Sequence, residues 1–154
     1  MRKKRVGLAV ALSLTLLGKP SHAESWMEIT VEADSSYKLY VDMDSIRAVD
    51  GFGGFSEKRK FVTPQRAPGV KQVFTEARAA VVVDCEDETL AYTGVVYYSA
   101  KGDEVGSSRL PSSRWHFFEP PLGSGGNQEM EVVCASLDSK ISLANGSSRS
   151  GLAR

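Results

Sequence analysis

The chain has 154 residues, with 19 basic and 19 acidic side chains that give a formal net charge of zero at pH 7. Hydrophobic residues make up 42% of the chain and charged residues 25%, which are the proportions of an ordinary globular domain. This length is enough for one domain with its own core and short for two. Five of the basic residues lie within the first 23 residues, so removal of that segment would leave a mildly acidic chain, which argues against a nonspecific binder of nucleic acid or of anionic membranes.

Residues 1–23 have the three-part pattern of a secretory signal peptide. Basic residues at positions 2–5 precede an apolar run at 6–17, and the small residues Ser21 and Ala23 precede the expected cleavage site. The apolar run is shorter than the roughly 20 residues that span a bilayer, so an uncleaved membrane anchor is the less favoured alternative. No cysteine stands at the cleavage point itself, so no lipid anchor is predicted.

Signal cleavage would change the charge of the protein. Cutting after Ala23 removes five basic residues and no acidic residue, which leaves an exported chain with a net charge of −5. No second long apolar run follows, so we expect no transmembrane segment after cleavage. The expected location is the periplasm, the cell surface or the medium, reached by the general secretory route.

The start of the exported chain predicts two strands. Residues 26–32 and 37–42 alternate apolar and polar side chains, which is typical of strands with one buried face. The turn-forming residues 33–36 lie between them. Asp44 and Ser45 are good helix caps, so one short helical turn is predicted before the glycine-rich stretch GFGG begins at residue 51.

A third strand is predicted at 52–63, followed by a loop at 64–69 that is rich in proline and glycine. The strand contains a run of three basic residues, for which a solvated strand is the simplest interpretation. The alternative is a small basic binding patch that continues into the loop. The candidate binding residues are therefore Lys58, Arg59, Lys60 and Arg66.

The second half of the chain predicts three more strands. Residues 73–85 alternate, and the odd-numbered positions that end at Cys85 form the more apolar face. Residues 89–100 are strongly β-prone, and a hairpin turn around Gly102 leads to a return strand at 104–109. A short extended segment is expected at 114–118.

A helix is predicted near the end of the chain. Met130, Val133, Cys134 and Leu137 recur at the spacing of an apolar helical stripe. Ser124 or Asn127 is the expected N-cap. Residues 138–154 are rich in serine and glycine and lack aromatics, so this segment is predicted to be a disordered tail.

The two cysteines, Cys85 and Cys134, raise three alternatives. In an exported chain an even pair favours a disulfide, which here would hold the helix on the sheet with both cysteines turned toward the core. The loop of about 50 residues would contribute roughly 4 kcal/mol of stability. A reactive thiol and a metal site are the alternatives. The acids around Cys85 and the distant His116 match no usual metal-ligand spacing.

The motifs for catalysis are weak. His116 is the one histidine of the exported chain, and its place between two aromatic residues is more typical of packing than of a general base. The stretch GFGG at 51–54 does not match a nucleotide-binding loop and indicates a turn or a bulge. No enzyme activity, cofactor or metal is predicted. Trp26, Trp115 and the tyrosines are interpreted first as packing residues, and second as a binding platform.

Several segments in order resemble the surface-adhesin protein E-like family of Gram-negative bacteria, over residues 26–135. They are Tyr40-Val41-Asp42 with Ser45-Ile46-Arg47, the strand before Cys85, the hairpin from Tyr98 through Gly102 to Val105, Trp115 before a proline and glycine-serine turn, and a helix that ends in Val133-Cys134. The scaffold residues of this pattern are Trp26, Tyr40, Asp42, Ser45, Ile46, Gly102 and Trp115.

The resemblance implies an α+β fold in which an antiparallel sheet of about six strands carries one C-terminal helix, held by a Cys85–Cys134 disulfide. The short connections along the chain predict the same arrangement. The resemblance also implies an exported, envelope-associated protein, and some members of the family bind host extracellular proteins. It assigns no ligand-binding residue to this chain.

We therefore expect a signal peptide at 1–23, a single domain at 24–137 and a tail at 138–154. The expected function is that of a non-catalytic binding module that presents a sheet face or loops to a protein partner, such as a host extracellular-matrix protein. The alternative is a periplasmic structural or inhibitory protein with no host ligand. Neither the ligand nor the oligomeric state is predicted.

Overall fold

The structure, a computed structural model, describes residues 25–30 and 36–149. The predicted signal peptide and the last five residues of the predicted tail lie outside the described residues. The elements are β1 (Trp26–Ile29), β2 (Tyr37–Val49), β3 (Phe52–Gln65), β4 (Phe74–Asp84), β5 (Thr89–Tyr98), β6 (Glu104–Arg109), a short 3-10 helix (Ser112–Arg114) and α1 (Gly125–Arg149).

The six strands form one antiparallel sheet in which every strand pairs with its neighbour in sequence, in the order β1-β2-β3-β4-β5-β6. Short connections force this arrangement, because a tight turn can join only antiparallel neighbours. The helix α1 lies on one face of the sheet, here called the inner face. The α+β fold predicted from the sequence is confirmed.

The helical turn predicted after residue 42 is wrong, because β2 continues through this region as a strand with an irregular register between Asp42 and Arg47. The expected capping residues stabilise this bulge instead. Asp42 Oδ1 accepts from the Asp44 amide at 3.1 Å, and Ser45 Oγ donates to the Asp42 carbonyl at 2.7 Å. Ser45 Oγ also accepts from the Ser56 amide at 2.8 Å, which ties the bulge to β3.

The short extended segment predicted at 114–118 differs only at its start, where Arg114 ends a 3-10 helix and Trp115 is extended. A 3-10 helix occupies Ser112–Arg114, and Phe118 then forms an isolated bridge with Leu90 through two backbone hydrogen bonds of 3.0 Å each. The third strand also runs two residues further than predicted, to Gln65. The two backbone bonds between Phe118 and Leu90 return the chain to the sheet before α1 begins.

The helix covers the inner face at one end of the sheet. Met130 and Val133 of α1 are buried there, and they pack against a core formed by Ile29, Leu39, Val41, Ile46, Phe55, Val81, Val83 and Leu90. At Gly53 a Cβ atom would lie 2.5 Å from Leu137 Cδ1, so the missing side chain lets the helix approach β3 closely. This contact gives the GFGG stretch a packing role.

One of the two predicted N-cap residues, Ser124, caps the start of α1. Ser124 Oγ accepts from the Asn127 amide at 3.3 Å, which makes Ser124 the N-cap. Asn127 also binds the segment before the helix, since its Oδ1 accepts from the Gly123 amide at 3.0 Å. The helix continues beyond Leu137 to Arg149, so it includes most of the segment predicted to be a disordered tail. The Lys140 ammonium donates to the Ile46 carbonyl at 2.8 Å, which ties this part of the helix to β2.

Cys85 and Cys134 form the predicted disulfide, with their Cα atoms 5.8 Å apart. The prediction that both cysteines face the core is wrong for Cys85, which is exposed because β4 has already ended at Asp84. The neighbouring acids form a turn: Asp84 Oδ1 accepts from the amides of Glu86 and Asp87 at 3.0 and 3.2 Å. The bond therefore links α1 to the rim of the sheet.

Candidate functional site

The end of the inner face that α1 leaves uncovered contains a concave pocket of about 380 Å³. Side chains of β3, β4 and β5 form most of its wall, and the loop after β3 and the end of β6 complete it. The lining residues are Glu57, Arg59, Phe61, Ala67, Phe74, Ala77, Ala79, Tyr92, Gly94, Val95, Tyr97, Ser108 and Leu110.

The pocket exists because the inner face of β4 changes from large to small side chains along the strand. Val81 and Val83 lie within the core that packs on the helix, Ala79 belongs both to that core and to the pocket wall, and Ala77 lines the pocket. Gly94 on β5 adds a second position without a bulky side chain. Small residues in the middle of a sheet leave a depression that larger neighbours on both sides deepen.

A row of aromatic rings crosses the strands at this end. The centroids of Tyr37 and Phe61 are 6.0 Å apart, those of Phe61 and Phe74 are 5.6 Å apart, and those of Phe74 and Tyr97 are 4.5 Å apart. Phe74 is 95% shielded from solvent. These contacts give the pocket a rigid apolar side, since aromatic pairs at such distances attract each other beyond simple burial.

The opposite side of the pocket is polar and is organised by Arg59. Its Nε lies 2.8 Å from Glu57 Oε1, and its Nη2 donates to Glu57 Oε2 at 3.3 Å and to the Tyr92 hydroxyl. The guanidinium also lies over the rings of Tyr37 and Tyr92, at 5.2 and 5.3 Å from their centroids. Arg59 is therefore held in place by an ion pair, a hydrogen bond and two ring contacts.

A second buried acid, Glu129 of α1, belongs to this cluster. It is fully buried beside the Glu57 carboxylate, although no hydrogen bond of good geometry joins its oxygens to another described residue. Burial raises the pKa of Glu129 well above its usual range, and the charge of Glu57 and the side-chain contact with that carboxylate raise it further. We conclude that Glu129 is protonated at neutral pH.

Burial and the charge of Glu57 also shift the pKa values of Arg59 and Tyr92. Burial opposes the charge of Arg59, but the neighbouring Glu57 more than offsets it, so the pKa of Arg59 is raised. Burial and then the charge of Glu57 raise the pKa of Tyr92. Arg59 is thus charged and the Tyr92 hydroxyl keeps its proton across the physiological range.

The structure separates the candidate binding residues that the sequence grouped. Lys58 is 92% shielded on the outer face, where its ammonium lies 3.9 Å from the centroid of the Trp26 ring and 5.0 Å from that of Tyr40. Arg59 points to the inner face and the pocket. Lys60 and Arg66 are exposed. The interpretation of the basic run as a solvated strand is therefore wrong for Lys58 and Arg59. Each side chain packs against aromatic rings, Lys58 on the outer face and Arg59 on the inner face.

The other scaffold residues fix turns and the outer face. Arg78 lies 5.7 Å from the Trp26 ring and 5.1 Å from the Tyr98 ring, so aromatic and basic side chains alternate across this face. Gly102 has a φ of +86° in the β5–β6 turn. Trp115 donates from its indole nitrogen to the Leu110 carbonyl at 3.2 Å, next to the pocket rim.

Two kinds of site are lacking from the part of the chain that the structure describes, a metal-binding cluster and a membrane-spanning helix. Within 25–30 and 36–149, no group of three or more His, Cys, Asp or Glu residues could hold a metal ion. His116 is exposed and does not line the pocket. No helix in this part of the chain is long and apolar enough to cross a membrane.

Comparison with known families decides the relationship. Residues 26–135 match the family model described as surface-adhesin protein E. The chain belongs to the surface-adhesin protein E family. This confirms the resemblance noted in the sequence, and it makes the protein surface-adhesin-like. No curated protein sequence matches the chain.

Solved structures with a similar arrangement include those of Haemophilus influenzae protein E. One is 15% identical, covers 71% of this chain and 93% of its own, and has a TM-score of 0.48. A second, from crystal form II, is 13% identical, covers 73% of this chain and 98% of its own, and has a TM-score of 0.49. A third, from a non-typeable strain, is 16% identical, with coverages of 77% and 82% and a TM-score of 0.45.

Proposed function

We propose that this protein is an exported, non-catalytic binding module of the bacterial envelope that presents one end of its sheet to a protein partner. The supporting observation is the aromatic pocket and its rim, which α1 leaves uncovered. We call the segment 60–75, which contributes Phe61, Ala67 and Phe74 to the pocket wall, the open end. Membership of an adhesin family supports the same function.

The open end has the composition of a contact surface. Val62 and Val73 are apolar side chains that remain 76% and 41% exposed. Lys60, Arg66 and Lys71 are exposed in the same segment, which contains no acidic residue, and Glu76 of β4 lies opposite Lys60. Exposed apolar side chains in a segment with exposed charges are typical of a protein-binding site. The partner that fits is a protein with an acidic surface around an apolar contact, and a host extracellular-matrix protein is the class that the family suggests.

Charge reversal at the open end tests this proposal. Purified protein is passed over a panel of immobilised extracellular-matrix proteins, and the double variant Lys60→Glu, Arg66→Glu is compared with wild type. We expect specific binding that falls at least about tenfold in the variant and that weakens with salt. The matched control is Arg47→Glu, an exposed arginine at the other end of β2. Binding that survives the double variant, or that Arg47→Glu reduces equally, contradicts the proposed surface.

A further inference from the structure

The pocket beside the open end has hydrogen-bond donors that the protein does not use. Glu57 engages Nε and Nη2 of Arg59, which lie on one edge of the guanidinium, and Nη2 also donates to Tyr92. Nη1 of Arg59 has no acceptor among the described residues. Since guanidinium donors are fixed in a plane, Nη1 remains available to an oxygen atom that enters from the pocket.

The tyrosine next to Arg59 adds a second donor. Its oxygen accepts from Arg59, so its own proton is free to be donated. Because its pKa is raised, Tyr92 keeps that proton at neutral pH. Glu57 also lines the pocket, but it is only 2% exposed and both of its oxygens contact Arg59, so little of its carboxylate can reach a ligand. A ligand that contacts this polar wall should therefore carry hydrogen-bond acceptors.

We propose that this pocket binds a small apolar carboxylate. Its carboxylate accepts from Arg59 Nη1 and from the Tyr92 hydroxyl, and its apolar body packs against the rings of Phe61, Phe74 and Tyr97. This site goes beyond the proposed protein partner and does not depend on it.

Size and charge narrow the class of ligand. A volume of about 380 Å³ corresponds to roughly a dozen water molecules, and so to about a dozen non-hydrogen atoms of a ligand. An amine would meet the positive guanidinium of Arg59 without a free acceptor. A neutral amide would keep one hydrogen bond but lose the stronger bond that a charged oxygen forms. An arylalkanoate such as 3-phenylpropionate fits both the size and the chemistry.

Three probes that differ only in their polar group test this site. The exported chain, labelled with nitrogen-15, is titrated with 3-phenylpropionate, 3-phenylpropanamide and 3-phenylpropylamine, and amide shifts are followed by NMR. We expect 3-phenylpropionate to shift Ala77, Ala79 and Gly94 with a Kd on the order of 1 mM. The amide should bind about tenfold more weakly and the amine should not bind. Equal binding of the three probes, shifts elsewhere, or no shift with 3-phenylpropionate overturns the proposal.

A pair of variants gives an independent readout. Ala77→Leu fills the pocket from β4 and should weaken the binding of 3-phenylpropionate at least about tenfold. Ala80→Leu changes an exposed position of the same strand and should leave the Kd unchanged. Unchanged binding in a folded Ala77→Leu variant overturns the proposal. If that variant does not fold, the three probes on the wild-type protein still decide the outcome.

Discussion

Arg59 of β3 donates a hydrogen bond to the hydroxyl of Tyr92 on β5, across the intervening strand β4. It can do so because β4 presents only Ala77 and Ala79 between the two side chains. The same small residues create the pocket, so the bond and the cavity have one structural origin. The hydrogen bond that organises the polar wall therefore depends on the same small residues that give the pocket its shape.

Removing the Tyr92 hydroxyl should lower the free energy of unfolding. Tyr92→Phe leaves the buried guanidinium of Arg59 with one fewer partner, so we expect a loss of about 1–2 kcal/mol. Urea unfolding measures the difference. Tyr40→Phe is the matched control, because the Tyr40 hydroxyl makes no recorded hydrogen bond among the described residues, and it should cost less than about 0.5 kcal/mol. Equal losses in the two variants would count against the role of the Arg59–Tyr92 bond.

The protonated Glu129 predicts an unusual dependence of stability on pH. Its pKa is raised in the folded state by burial and then by Glu57, with Arg59 as the opposing charge. The folded state therefore keeps a proton that the unfolded chain releases above its ordinary pKa of 4.5, so stability falls as pH rises from there through neutrality. Glu129→Gln carries no such proton. We expect it to match wild type near pH 4 and to become progressively more stable than wild type toward pH 8.

Urea unfolding of both proteins at several pH values measures this effect. Glu131→Gln is the control, since Glu131 is exposed on the same helix, and its difference from wild type should change little with pH. A constant difference between Glu129→Gln and wild type from pH 4 to 8 would show that Glu129 is ionised in the fold.

The disulfide should contribute a large part of the net stability. The double variant Cys85→Ser, Cys134→Ser opens a loop with a sequence separation of 49, for which the chain-entropy model gives a loss of about 4 kcal/mol. Chemical denaturation measures that loss. A thiol assay on unfolded, unreduced wild-type protein should find no free cysteine, whereas two thiols there would contradict the bond.

Lys58 and Lys60 should behave differently although they are two residues apart. Lys58→Gln removes a shielded cation that lies over the Trp26 ring, so we expect a loss of about 1–2 kcal/mol in stability. Lys60→Gln changes an exposed side chain and should cost less than about 0.5 kcal/mol. Thermal and urea unfolding of the two variants measure this contrast. Equal effects would contradict the burial of Lys58.

The elements and their order could be predicted from the sequence because alternation and short connections determine them locally. The disulfide followed from export and from an even number of cysteines. The bulge in β2 could not be predicted, since Asp44 and Ser45 suit a helix cap as well as they suit a bulge. The choice depends on the bond between Ser45 and Ser56, which is eleven residues away.

The pocket was missed because its parts lie far apart along the chain. Glu57, Tyr92 and Glu129 come together only after the sheet forms and the helix docks. One signal was available: Glu129 lies four residues before Val133 in the predicted apolar stripe of α1, where a charged residue is unexpected. The basic run was misleading because adjacent strand residues face opposite sides of a sheet.

Labelling of intact cells tests the central claim most directly. An impermeant amine-reactive biotin is applied to the native bacterium, and its sites on this protein are read by mass spectrometry. The account predicts label on the exposed Lys60 and Lys71 of the open end before the outer membrane is opened, or labelled protein in the medium, while a resident periplasmic protein stays unlabelled. Label that appears only after the outer membrane is opened would contradict presentation to an external partner, and would direct the search to partners within the envelope.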